Sequence, residues 1–255
     1  MTQRRVLVTR PAREAQRWAL ALRQRGIDAK VLPLLAIEPV ANDSALREVR
    51  ARAGRFDAWM FVSAAAVDHF LEDGMQGPQG PRCWGTGPGT AGALRSAGVP
   101  ESRIDVPGPN AEQFDSEALW QIVQPQVRPG AQVLFVRGGD TGGLPAGRDW
   151  LARQVADAGG AHETLVAYRR VAPALNEHER QMAEAAACDG SVWLFSSSQA
   201  IANLCAALPG TDWSRACAIA THPRIAQSAR AAGFGVVSSS SAEFDALVAS
   251  IESFQ

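Results

Sequence analysis

The chain carries a single tyrosine, Tyr168, in the stretch TLVAYRRVAP. A phenol is protonated at pH 7 and acts as a neutral acid where a cleft presents it to a leaving group, whereas at a junction it more often packs and makes one hydrogen bond. Two short stretches place hydroxyls in a matching way: WMFVSAAAV (59–67) with Ser63, and WLFSSSQAI (193–201) with Ser196, Ser197 and Ser198. Each runs an aromatic-apolar strand into serine and then into a small-residue helix start, where open α/β sheets present backbone N–H groups to ligands. Without a GxSxG elbow or an evident histidine partner the serines do not read as nucleophiles; they suit N-capping, and capping shares its N–H groups with ligand binding.

A third candidate is VRGGDTGGLPAGRDWL (136–151), a strand ending at Arg137, a glycine-rich loop, and a helix opening near Asp149. It lacks the Lys-Ser/Thr of a phosphate loop, so ATP or GTP is not its ligand. Arg137 and Arg148 beside a helix N-terminus suit a carboxylate, and a surface loop with solvated arginines is the structural alternative. GPGTAG (87–92) matches the dinucleotide pattern GxGxxG, with Asp105 at a plausible distance for a ribose. However, the preceding PRCWG is short and not convincingly buried, and the later counterpart THPRIA has no glycine, so a strand-to-helix turn facing a cleft is the better reading.

Bulk properties narrow the classes. Hydrophobic residues are 46% of the 255, charged residues 20%, and the formal net charge of −1 gives no basic surface for nucleic acid or an anionic membrane. Lys30 is the only lysine, every other basic residue being arginine. MTQRRVLVTRP runs straight into a strand pattern and no apolar stretch reaches the length of a membrane span, which points to the cytoplasm. Cys83, Cys188, Cys205 and Cys217 form no CxxC pair and are expected as small buried residues, with no disulfide and no zinc. His69, His162, His178 and His222 show no metal-ligand spacing and are expected as solvated or capping residues. Neither metal nor nucleotide cofactor is expected.

The elements that must position these groups alternate in type. Strand-like runs VLVT (6–9), AKVLPLLAI (29–37), AWMFVS (58–63), QVLFVR (132–137), TLVAY (164–168), SVWLFS (191–196) and ACAIAT (216–221) alternate with amphipathic stretches, the pattern of parallel sheets covered on both faces. The chain also repeats itself. RVLVTRP and its helix are echoed by QVLFVRGG and its helix, aligning Arg10 with Arg137 and Trp18 with Trp150, and TGPGTAGALRSAGV (86–99) is echoed by THPRIAQSARAAGF (221–234). A half-molecule is therefore duplicated, and its two copies can pair in sequence order or with one domain inserted in the other. Pro-bearing extended segments at AIEPV (36–40) and AYRRVAP (167–173) favour insertion, since that arrangement needs two crossings.

Taken in order, VLVTRP (6–11), FVSAAAV (61–67), GPGTAGAL (87–94), DSEAL (115–119), VRG with GRDWL (136–138 and 147–151) and VAYRRV (166–171) resemble the uroporphyrinogen-III synthase family over essentially the whole chain. The resemblance implies two similar α/β domains with parallel sheets flanked by helices, the second inserted in the first and joined to it by a two-stranded linker: residues 1–36 with 172–255, and residues 40–168. It implies cyclisation of the linear tetrapyrrole hydroxymethylbilane to uroporphyrinogen III, a hydro-lyase reaction of haem biosynthesis, by a cytoplasmic monomer without cofactor. Tyr168 is then the candidate acid for the departing hydroxyl. Ser63, Thr90 and Arg137 in one domain, and Arg10, Ser197 and Thr221 in the other, are candidate substrate contacts. Two other readings of the same residues are a non-catalytic two-domain anion-binding or sensing module and, on GPGTAG alone, a Rossmann-type oxidoreductase.

Overall fold

The computed structural model describes residues 4–254 apart from 73, 76, 78, 109, 110, 112, 113, 146 and 242, so part of the loop at 74–82 lies outside the described residues. In chain order the elements are β1 (Val6–Val8), α1 (Ala12–Gln24), β2 (Ala29–Val31), β3 (Ala36–Pro39), α2 (Ser44–Ala51), β4 (Ala58–Phe61), α3 (Ala64–Phe70), β5 (Arg82–Gly85), α4 (Pro88–Ser96), β6 (Ile104–Asp105) and α5 (Ser116–Val123). They continue with β7 (Gln132–Gly139), α6 (Trp150–Asp157), β8 (Ala161–Val171), α7 (Glu177–Ala186), β9 (Val192–Phe195), α8 (Ser198–Ala207), β10 (Cys217–Ala220), α9 (Pro223–Ala231), β11 (Val236–Ser239) and α10 (Phe244–Glu252).

These form two compact units, Met1–Ala36 with Val171–Gln255, and Ile37–Arg170. The first holds a five-stranded sheet in the order β11-β10-β9-β1-β2, the second a six-stranded sheet in the order β3-β8-β7-β4-β5-β6. Strand pairs are parallel throughout the first sheet and from β4 to β8 in the second. The chain crosses between the units within β3 and again within β8, which are hydrogen-bonded neighbours.

The continuous apolar strands follow from burial on both faces. In the first unit Val6, Val8, Val192, Leu194 and Ile219 face Ala15, Ala19 and Leu22 of α1 and Leu247, Val248 and Ile251 of α10. The alternate residues Leu7, Trp193, Phe195, Ala218 and Ala220 face α7, α8 and α9. The second unit repeats the division. Trp59, Phe61, Leu134 and Val136 pack on Leu46, Val49, Ala66, Val67, Phe70, Ala91 and Leu94, while Ala58, Met60, Val133 and Phe135 pack on Leu119, Val123, Leu151, Ala152 and Val155. Each large apolar side chain buried in this way contributes about 1.5–3 kcal/mol.

Three details differ from the sequence expectations. PRCWG is no marginal run: β5 lies between β4 and β6, and Cys83 and Trp84 are buried. The stretch AKVLPLLAI is two strands in two sheets, divided at Pro33, whose missing N–H cannot continue a ladder. Cys188 is exposed at the end of α7 rather than buried, and Cys205 is half-buried.

Helix ends follow local chemistry. Gly26 closes α1 at φ +80°, a conformation a Cβ would strain. Asn176 opens α7 with a capping box: its Oδ1 accepts from Glu179 N at 2.9 Å and Glu179 Oε2 accepts from Asn176 N at 2.9 Å. Asn176→Ala is expected to cost about 1 kcal/mol, read as a lower urea midpoint at unchanged slope.

Candidate active site

Because the strands of the first sheet and β4 to β8 of the second run parallel, their carboxyl ends share one edge of each sheet, and Ser63, Thr90, Arg10, Ser197 and Thr221 lie in or just after the loops leaving that edge. In the second unit Ser63 follows β4 and caps α3, its Oγ accepting from Ala66 N at 3.2 Å. Thr90 is buried in the first turn of α4, its methyl lying so close to Gly85 that a Cβ there would stand 2.8 Å away.

Tyr168 is close to the crossing between the units but is not the last residue of its strand. It lies within β8, which continues to Val171, and only 1% of it is exposed. A register shift between Arg137 and Gly138 leaves Ala167 as the extra residue and pairs Gly138 with Tyr168. The ring lies against Gly138: a Cβ at that position would be 2.5 Å from Tyr168 Cε2. The phenol oxygen is 2.9 Å from Ser63 Oγ and accepts from Arg170 Nη2 at 3.2 Å. The Arg170 guanidinium also stands 5.8 Å from the Tyr168 ring centroid. His69 of α3 faces the ring at 5.7 Å, and burial holds its imidazole below the usual histidine pKa.

Arg137 is 4% exposed and turns into its own unit. Its Nη1 donates to Asp149 Oδ1 at 2.6 Å and its Nη2 to the Arg148 carbonyl at 2.9 Å, fixing the start of α6, while its Nε is buried without a partner among the described residues. Arg148 in turn makes a bidentate pair with Glu117 at 2.7 and 3.0 Å. In the first unit Arg10 follows β1 and repeats the pattern. Its Nη1 is 3.2 Å from Glu14 in the first turn of α1, its guanidinium stacks on Trp18 at 4.4 Å, and its Nε is also buried without a partner among the described residues. Ser197 caps α8 through Gln199 N at 3.2 Å. Thr221 ends β10, its N–H donating to the Phe195 carbonyl, and the neighbouring His222 caps α9 through Nδ1.

Other sequence candidates go elsewhere. Asp105 is paired with Arg82 and is not available to a ribose, while GPGTAG supplies the N-cap Gly87 and the first residues of α4, without side-chain capping. Buried beside Arg103, Cys83 has its thiol pushed up to about 11, burial being the main cause. Among the described residues no three or more His, Cys, Asp or Glu side chains are grouped to hold a metal, and no helix is long and apolar enough to cross a membrane.

Sequence reasoning missed Arg170, His69 and Gly138. Arg170 was within reach, since residues two apart in a strand share a face. The pairing of Gly138 with Tyr168 depends on the bulge, which no local pattern announces.

A duplicated α/β protein with hydroxyls and arginines gathered at strand carboxyl ends is thus the class that fold and site define. The family model for uroporphyrinogen-III synthase HemD matches residues 16–249. A uroporphyrinogen-III synthase of Chlorobaculum parvum is 30% identical over 183 residues, 69% of this chain and 67% of the relative. Among solved structures, uroporphyrinogen-III synthetase from Helicobacter pylori covers 100% of both chains at TM-score 0.60 and 15% identity. A mutant uroporphyrinogen III synthase of Thermus thermophilus covers 98% of both at TM-score 0.58 and 16% identity, a likeness of fold. The chain belongs to the uroporphyrinogen-III synthase family, and so to the lyases.

Two outcomes follow from the geometry around Tyr168. Gly138→Ala drives a methyl into the ring and is expected to cost about 1–3 kcal/mol by overpacking, measured by chemical unfolding. The lowered pKa of His69 means that the unfolded chain takes up its proton first. Stability is therefore complete above the unfolded histidine value near 6.5 and declines as pH falls below it. Unfolding titrations at pH 7.5, 6.5 and 5.5 should show a shallower decline in His69→Gln than in the parent.

Proposed function

We propose that the chain cyclises hydroxymethylbilane to uroporphyrinogen III, with loss of water and inversion of the last pyrrole ring, and that Tyr168 gives its proton to the departing hydroxyl. The observation that carries this reading is the phenol of the chain's one tyrosine, hydrogen-bonded to Ser63 and Arg170 in a member of this family.

The chemistry asks little of the protein beyond placement. Water leaves, ring D attacks through its substituted carbon to a spiro intermediate, the bond from that carbon to the ring C methylene breaks, and the freed methylene is captured by the unsubstituted α-carbon of ring D, which loses its proton as the macrocycle closes, with no net oxidation or reduction. Neither metal nor nucleotide is required by that balance. Most of the work is orientation of a flexible chain so that the reacting carbons meet. A substrate with eight carboxylates suits strand-end N–H groups and hydroxyls better than one deep charge pocket. In this reading Ser63, Thr90, Arg10, Ser197 and Thr221 contact it, and Arg137 contributes through the α6 start that it anchors. The protein acts as a monomer in the cytoplasm, with no nucleic-acid or membrane partner.

The decisive assay supplies hydroxymethylbilane and separates the products. The type III isomer must form faster than the type I product of spontaneous closure. A non-catalytic anion-binding module would bind the bilane and yield type I alone.

Tyr168→Phe keeps the ring over Gly138 and removes one donor. General-acid assistance is typically worth about 10²–10⁴-fold, and because this substrate also closes unaided its leaving group is already labile, so the low end or less is expected. Turnover and thermal midpoint are measured on the same variant: slow turnover with a parent-like midpoint supports the acid, whereas parent-like turnover with a loss on the order of 1 kcal/mol assigns Tyr168 a structural role.

A further inference from the structure

The structure assigns Arg170 as a positioning residue for Tyr168, an inference that rests on the acid role proposed above. Tyr168 and Arg170 stand two residues apart in β8, so both side chains rise from the same face of the sheet. Arg170 Nη2 reaches the phenol oxygen at 3.2 Å, and the guanidinium lies 5.8 Å from the ring centroid. The ring itself cannot swing away, being 1% exposed and pressed on Gly138.

The hydrogen-bond inventory around the phenol gives the pair its function. Tyr168 Oη and Ser63 Oγ are 2.9 Å apart, and either hydroxyl can donate across that contact. Arg170 offers only donors, so it never takes the phenol proton, which in the proposed reaction goes to the hydroxyl to be lost. In the step itself the C–O bond of the hydroxymethyl group breaks with its electron pair going to oxygen. The phenol proton joins that oxygen, and water departs from a cationic azafulvene, leaving a phenolate. The phenolate regains a proton when the pyrrole carbon making the last ring bond sheds its hydrogen to restore aromaticity. Charge thus develops on the oxygen that Arg170 contacts, and a hydrogen bond from a cation strengthens as its acceptor becomes an anion. Arg170 therefore acts on the transition state more than on the bound substrate.

The test is a double-mutant cycle on Arg170→Gln and Tyr168→Phe, with Arg170→Lys alongside, using hydroxymethylbilane and reading kcat, KM and thermal midpoint. Expected are a fall in kcat of about tenfold or more in Arg170→Gln at unchanged KM, partial recovery in Arg170→Lys, and almost no further loss when Arg170→Gln is added to Tyr168→Phe. Additive losses, or a raised KM at unchanged kcat, would mean that Arg170 holds a substrate carboxylate directly and overturn the inference. Parent-like turnover in Arg170→Gln beside a slow Tyr168→Phe overturns it while leaving the acid in place. Parent-like turnover in Tyr168→Phe removes the acid reading and this inference together. A lowered midpoint that accounts for the lost turnover in Arg170→Gln but is absent from Arg170→Lys also counts against it.

Discussion

A parallel sheet offers neither face to water, and both units are organised by that constraint. In each, strand residues of one parity pack on one group of helices and those of the other parity on a second group, so β1, β9 and β10 in the first unit and β4 in the second are apolar along their length. With side chains fully committed to packing, the strands themselves have few polar groups to give to chemistry. Polar function is displaced to the edge where parallel strands end together. Ser63, Thr90 and Arg137 in one unit, and Arg10, Ser197 and Thr221 in the other, lie at or just beyond such ends.

Tyr168 departs from that division because it is a core residue and a polar one at once. Its ring is packed within the same cluster as Trp59, Phe61 and Phe70, yet its oxygen meets Ser63 and Arg170. A glycine in the neighbouring strand makes the compromise possible. Gly138 admits the ring against bare backbone, and the bulge beside it brings the two residues into register. Packing thereby removes the ring's freedom.

Duplication explains what the two units share and where they part. The arginine at the carboxyl end of the first strand of each repeat, just after β1 and within the last residues of β7, holds a carboxylate at the start of the next helix, Glu14 in one and Asp149 in the other, and among the described residues both leave a buried Nε without a partner. Strand-end serines cap the next helix in both copies. Only the second unit carries a phenol, so the copies are alike as scaffolds and unlike in chemistry.

How much of this was legible differs by level. Alternation of apolar runs with amphipathic stretches, the repeat, the serine caps and the Arg10–Arg137 correspondence were all readable, because periodicity, capping and duplication are properties of neighbouring residues. The sequence by itself therefore determined the class of fold, the duplication and the polar residues at strand ends. PRCWG was underestimated since its burial comes from β4 and β6 on either side, and neither neighbour is local. The environment of Tyr168 was decided only by the tertiary structure. Strand order sets β7 beside β8, a bulge shifts their register by one residue, and that shift seats the ring on Gly138, 30 positions earlier in the chain. Register between strands is a long-range choice made by the whole core, and a displacement of one residue carries a side chain to the opposite face.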